Sequence, residues 1–323
     1  MPTSSPPTLY KYLAPERTDV LERNLIRFTQ ATAFNDPFEA LPFAESIFDS
    51  GILEKAITKE ILERKPDMAS LLKLLPHLAG VIRLDWPGAK KIAAKFMQIF
   101  IDCQFGCLCL SSGGNQSSLP DNLLMWSHYA DCHKGFVLGF DSEHPYFHQE
   151  RAGKPFFSEI TPVTYSLERP RGPIIKDPTA LGPVIYHELA HRYFLYKSKH
   201  WEYENEWRMI RELKGADQVL SVESEEIHLF SFPAAALRCV VLGCRIEDQV
   251  EGKLRDILSE GRYAHVECYR AGIDSADFRL DFAKESALDL GGRSKDKTRL
   301  GDSEWRAKLQ EAWPLIEKII ERK

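Results

Sequence analysis

The chain has 323 residues, 44% of them hydrophobic and 28% charged, with 42 basic and 47 acidic side chains for a net charge of −5. That composition buries a substantial core and excludes a disordered or fibrous chain. The acidic balance argues against general polyanion binding, which normally shows as a basic excess. Seven cysteines cannot all pair internally, form no CxxC pair and sit mostly in apolar runs, so they read as reduced, packed thiols. The first residues carry neither a basic n-region nor an apolar h-region, and the most apolar stretches are too short and too often interrupted to span a bilayer. The expectation is a soluble, cytoplasmic protein with no membrane partner.

In chain order, Leu9–Leu13 reads as a first strand, Pro15–Asn24 as a helix opened by proline, and Leu25–Thr29 as a second strand. Asn35-Asp36-Pro37-Phe38 is turn chemistry, because Pro37 disfavours a helical conformation at Asp36. At about residues 43–102 the period becomes helical, as in Ile52–Arg64 and Ala89–Phe100, which predicts a helical insertion. Phe105–Ser111 is strand-like, Ser112–Pro120 is loop composition, and Leu123–Ala130 is a short helix. Gly135–Asp141 and Pro162–Tyr165 follow as strands, and Ala180–Lys199 as a long helix. Tyr203–Leu213, Glu226–Phe232, Leu237–Cys244 and His265–Arg270 are further strands, with a helix over Asp248–Glu260. The expectation is therefore α+β: a mixed or mainly antiparallel sheet within residues 1–282, a linker over 283–301 and a C-terminal helix over 302–323. Trp305, Leu309, Trp313, Ile316 and Ile320 form an apolar stripe on that helix, suited to docking on its own domain or on a second subunit of a homo-oligomer.

Two segments carry candidate chemistry. His187-Glu188-Leu189-Ala190-His191 places two imidazoles one helical turn apart with a carboxylate between, the arrangement in which His187 and His191 hold zinc and Glu188 is general base. The simpler reading is two packed helix histidines. It is favoured because Phe194 and Lys197 stand where the extended metzincin pattern has Gly and His. Further along, Glu204, Glu206 and Arg208 fall on one face if their segment is a strand. That is either a surface ladder in which Arg208 neutralises Glu206, or a cleft carboxylate placed to stabilise positive charge. His128 and Tyr129, in Trp126-Ser127-His128-Tyr129, offer a titratable ring and a stacking aromatic, with ordinary packing as the alternative.

Four blocks carry a resemblance: Leu9-Tyr10-Lys11-Tyr12; Asn35-Asp36-Pro37-Phe38-Glu39; Met125-Trp126-Ser127-His128-Tyr129-Ala130-Asp131 with His133-Lys134-Gly135; and Lys199-x-Trp201-x-Tyr203-Glu204-x-Glu206-Trp207-Arg208. Their order resembles the bacterial family catalogued as domain of unknown function 2971 over about residues 9–282. The order of a Tyr10/Lys11 strand, a helix, a strand ending at Thr29 and a late Glu-x-Glu is similar, at the level of fold, to ADP-ribosyltransferases. That similarity implies an NAD-using transferase of the toxin or antiphage-effector kind. In it Glu206, with Glu204 and His128, would be catalytic, while Tyr10, Lys11, Thr29, Tyr129 and Arg208 would contact the nucleotide. The alternatives are a zinc-dependent hydrolase built on His187, Glu188 and His191, and a non-enzymatic binding protein.

Overall fold

In a computed structural model, residues 8–39, 101–113, 119–148, 159–170, 193–223, 225–285, 307–308 and 310–314 are described. The predicted insertion at about 43–102 and the His187–His191 motif lie almost wholly outside them. The chain divides into two units, Met1–Lys284 and Glu285–Lys323. In the second, 307–308 and 310–314 are helical, within the predicted C-terminal helix. Among the described residues no helix is long and apolar enough to cross a membrane.

The first unit is α+β. Its main sheet contains β1 (Thr8–Leu13), β3 (Phe105–Ser112), β4 (Phe136–Asp141), β5 (Thr161–Pro162), β8 (Glu206–Glu212), β11 (Leu237–Leu242), β12 (Glu267–Ile273) and β13 (Leu280–Glu285). Their order is β13-β12-β11-β4-β1-β3-β8-β5, mainly antiparallel, with β11 and β12 parallel. A smaller antiparallel sheet joins β2 (Leu25–Phe28), β10 (Glu225–Ser231) and β9 (Gln218–Val222). A parallel pair joins β6 (Thr164–Ser166) to β7 (Tyr196–Ser198). The helices are α1 (Asp19–Arg23), α2 (Leu123–Tyr129) and α3 (Asp248–Leu258).

Both faces of β1 are covered, as period-2 alternation on a central strand requires. Leu9 and Leu13 pack into the larger core with Phe28, Trp207, Phe230 and Leu254. Tyr10 and Tyr12 face the other way, into a second core around Trp126. Asn122 caps α2, its Oδ1 accepting from the amides of Leu124 (3.0 Å) and Met125 (3.2 Å).

Several boundaries differ from expectation. The predicted helix Pro15–Asn24 is a 3₁₀ turn over Pro15–Thr18 followed by α1, with Asn24 left-handed at φ 53°. The predicted helix Ala180–Lys199 does not reach its expected end: Tyr196–Ser198 form β7 and Lys199–Glu204 a 3₁₀ turn. The predicted strand Tyr203–Leu213 therefore begins at Glu206. β9 and β13 went unpredicted.

After α2 the chain turns through three consecutive left-handed residues, Asp131, Cys132 and His133 (φ 43°, 52° and 69°). Trp126, buried with its indole N–H donated to the Pro120 carbonyl (2.6 Å), stacks on His133. The turn ends at Gly135, where a Cβ would lie 2.0 Å from the Leu13 carbonyl oxygen. Backbone cannot yield as a flexible side chain does. Gly135→Ala is thus expected to cost about 3 kcal/mol, the upper end for overpacking, read as a lowered denaturant midpoint at unchanged m-value.

One irregularity of the main sheet positions the cavity. β1 pairs with β4 along all six residues but with β3 only at Leu9 and Tyr10. Beyond that point β1 and β3 part. β3 turns instead to the end of β2, where Thr29 and Cys107 exchange backbone hydrogen bonds (2.8 and 2.9 Å). Lys11 reaches across the gap and donates from Nζ to the Cys109 carbonyl (3.0 Å).

Candidate functional site

A cavity of about 220 Å³ opens where β1 and β3 separate. It gathers side chains from distant parts of the chain: Tyr10 and Lys11 of β1, Thr29 after β2, Tyr129 of α2, and Glu204, Glu206 and Arg208 at the entry to β8. These are all the residues the sequence marked as catalytic or nucleotide-contacting except His128. His128 stands exposed on α2, its ring against Tyr129 at 6.3 Å, and is not among the lining residues.

The floor is a buried network of charges. Glu206 and Arg208 occupy alternate positions on β8 and therefore share a face, and Arg208 closes on Glu206 with a two-pronged fork. Its Nε donates to Oε1 and its Nη2 to Oε2, both at 2.7 Å. Nη1 donates to the Phe194 carbonyl (2.7 Å) and Nη2 also to Glu39 (3.0 Å), while the guanidinium lies 4.7 Å from the centre of the Phe34 ring. Glu204 belongs to the 3₁₀ turn before the strand, and the left-handed Asn205 (φ 45°) swings the chain so that both carboxylates converge. They meet at Lys197, whose ammonium lies 2.5 Å from Glu204, 3.0 Å from Glu206 and 3.0 Å from Glu39.

Lys197 and Arg27 are site residues that sequence reasoning missed, Lys197 because its segment was assigned to a helix. Glu39 is delivered by the predicted turn. Asp36 Oδ1 accepts from the Phe38 amide (2.9 Å) and its other oxygen accepts from the Trp201 indole (2.8 Å), fixing the loop that presents Glu39.

Three carboxylates face two cations, and the environment separates the acidities of Glu204 and Glu206. Burial would raise the Glu206 pKa, but Arg208 and Lys197 outweigh it and hold the carboxyl at about 2. For Glu204 burial wins: with Glu206 nearby, its pKa stands above the usual carboxylate value despite Lys197 and Tyr129. Burial alone would lower Lys197, yet Glu206, Glu39 and Glu204 keep it firmly charged. Tyr129 is pushed up by burial and by Glu204, to which its hydroxyl donates at 2.6 Å.

The mouth carries the opposite sign. Lys11 meets a carbonyl, and Arg27 on β2 approaches an acid only at 4.0 Å, to Glu225, leaving its buried Nε without a hydrogen-bond partner. Among the described residues no group of three His, Cys, Asp or Glu is arranged to hold a metal ion.

The α2 turn and the β8 entry that build this floor lie in one stretch of sequence, and that stretch is similar to a known family. Residues 125–209 match the model of the family described as "Protein of unknown function (DUF2971)". The matched segment runs from Met125, the third residue of α2, to Met209 on β8, so it contributes Tyr129, Lys197, Glu204, Glu206 and Arg208. Tyr10, Lys11, Arg27, Thr29 and Glu39 come from outside it. No curated protein and no solved structure matches the chain.

Proposed function

We propose that this protein is an NAD-using enzyme that works as an ADP-ribosyltransferase does, breaking the bond between nicotinamide and ribose. The observation that carries this reading is the polarity of the cavity: an acidic, water-poor floor under a cationic mouth. NAD has the matching polarity, with a cationic nicotinamide–ribose end and an anionic pyrophosphate. As the glycosidic bond breaks, positive charge grows on the ribosyl carbon, and carboxylates already fixed at the floor stabilise it without reorganising. Lys11 and the unpartnered Nε of Arg27 suit phosphate oxygens. Tyr10 supplies an aromatic wall. At about 220 Å³ the cavity falls short of the roughly 300–1,000 Å³ that encloses a whole drug-sized ligand. It therefore takes one end of the dinucleotide and leaves the remainder along the open parting of the strands.

The test is calorimetric titration of the full chain with NAD, followed by chromatography for released nicotinamide. Saturable binding is expected. Lys11→Ala and Arg27→Ala should each weaken it about tenfold or more, since a hydrogen bond to a charged group contributes roughly 1.5–3 kcal/mol. A folded protein that gives no saturable heat with millimolar NAD overturns the reading.

A further inference from the structure

Resting on the NAD reading, we infer that Tyr129 and Glu204 form the proton relay of this cavity, with Tyr129 touching the acceptor, and that Glu206 is a positioning residue. The two carboxylates look equivalent in sequence but are bonded differently. Glu206 is saturated: Oε1 takes Arg208 Nε, and Oε2 takes both Arg208 Nη2 and Lys197. With both oxygens engaged by cations, it is a poor acceptor for a proton. Its place is to hold Arg208 and Lys197.

Glu204 takes one bond on each oxygen, from Lys197 at Oε2 (2.5 Å) and from Tyr129 at Oε1 (2.6 Å). Its backbone is pinned separately: Ser111 Oγ donates to the Glu204 carbonyl (2.5 Å), and Asn122 Nδ2 donates to the Tyr203 carbonyl (2.7 Å). The Asn122 bond ties α2 to the 3₁₀ turn and so sets the distance from the Tyr129 ring to the carboxylate. Tyr129 is half-buried and lines the cavity beside Glu204, with its hydroxyl on that carboxylate.

The chemistry balances without any further reagent. An acceptor oxygen, from water or a hydroxyl, attacks the ribosyl carbon as the bond to nicotinamide breaks and that bond's electron pair leaves with the now neutral nicotinamide. The acceptor proton passes to Tyr129 Oη while the Tyr129 proton passes to Glu204 Oε1. The carboxylate ends as the acid and later returns the proton to water. The charged and titratable groups around Glu204 are Lys197 of β7, Glu206 and Arg208 of β8, Tyr165 of β6, Tyr129 of α2, Tyr203 beside it and Glu39 of the turn after β2.

The experiment combines two readouts on the full chain: ¹³C NMR titration of the carboxyls after labelling with [δ-¹³C]glutamate, and the pH profile of nicotinamide release. One carboxyl should titrate above the ordinary glutamate range, vanish in Glu204→Gln, persist in Glu206→Gln and move further up in Tyr129→Phe, which removes a donor to the anion. Release should fall about 100-fold in Tyr129→Phe and in Glu204→Gln, within the 10²–10⁴ typical of general acid–base groups. Glu204→Gln should also lose the acid limb of the profile. The relay is overturned if the Glu204 carboxyl titrates in the ordinary range, ignores Tyr129→Phe, or if Tyr129→Phe keeps full release with its acid limb. Wild-type protein that releases no nicotinamide counts against the NAD reading alone, because the carboxyl titration then still decides the relay.

Discussion

Replacing Arg208 with methionine is expected to remove roughly 3–5 kcal/mol of stability, the range for breaking a buried ion pair. That is a large share of the 5–15 kcal/mol that holds a typical domain folded. The reason lies in what would be left behind. Arg208 is 1% exposed and serves two carboxylates, a backbone carbonyl and an aromatic face at once. Methionine fills much of the volume but leaves Glu206 and Glu39 sharing Lys197, and the Phe194 carbonyl without its donor. Lysine keeps the charge but has neither the planar fork nor enough donors to reach all four partners, so Arg208→Lys should lose most of the same amount. Denaturant midpoints of the two variants check this. A loss below 1 kcal/mol in both would mean that the cluster is well hydrated.

Acid should destabilise the protein through Glu206, and the sign follows from linkage. The Glu206 carboxyl is held at about 2 in the folded protein against 4.5 when unfolded, so the unfolded chain binds the extra proton between these values. Its contribution is complete above pH 4.5 and disappears as pH falls through 2, amounting to roughly 3 kcal/mol. Glu204 works the other way. Its pKa is raised on folding, so its contribution is complete below 4.5 and fades as pH rises through the folded value. Urea midpoints measured from pH 2 to 8 should climb steeply from pH 2 to 4.5 in the wild type. In Glu206→Gln the protein should be weaker at pH 7 but have a visibly flatter acid slope. Parallel slopes in the two proteins would show that other carboxylates govern acid unfolding.

The fold was legible where one face or both faces of an element meet apolar neighbours. Leu9–Leu13, Phe105–Ser111, Gly135–Asp141 and Leu237–Cys244 stand out as apolar runs because they become the buried middle of the sheet. β9 did not stand out: Gln218–Val222 is a partly exposed edge. β13, with the sequence Leu-Asp-Phe-Ala-Lys-Glu, carries the charges expected on an outer strand, and its second half fell within the predicted linker 283–301. The site was legible as motif blocks, since turns rich in Asn, Asp and Pro and a Glu-x-Glu-x-Arg strand entry announce polar groups held on rigid backbone. What sequence could not supply was the partner. Lys197 binds Glu39, and Arg208 binds both Glu39 and a carbonyl in the chain before β7, through contacts that exist only after the sheet has assembled. No local period encodes them. The difference between Glu204 and Glu206 was hidden for the same reason: a left-handed Asn205 and a lysine from another strand separate two residues that look alike on paper.

The parting of β1 from β3 has a consequence for how the protein is made. The cavity borrows its mouth from the first thirty residues and its floor from residues near 200, so closing it requires the costly meeting of chain ends far apart in sequence. A ribosome that has released everything up to β7 has exposed Tyr10, Lys11, Arg27, Thr29 and Tyr129, but neither Glu204 nor Glu206 and not Arg208. The floor of the cavity therefore comes into being late in synthesis, when β8 pairs with β3.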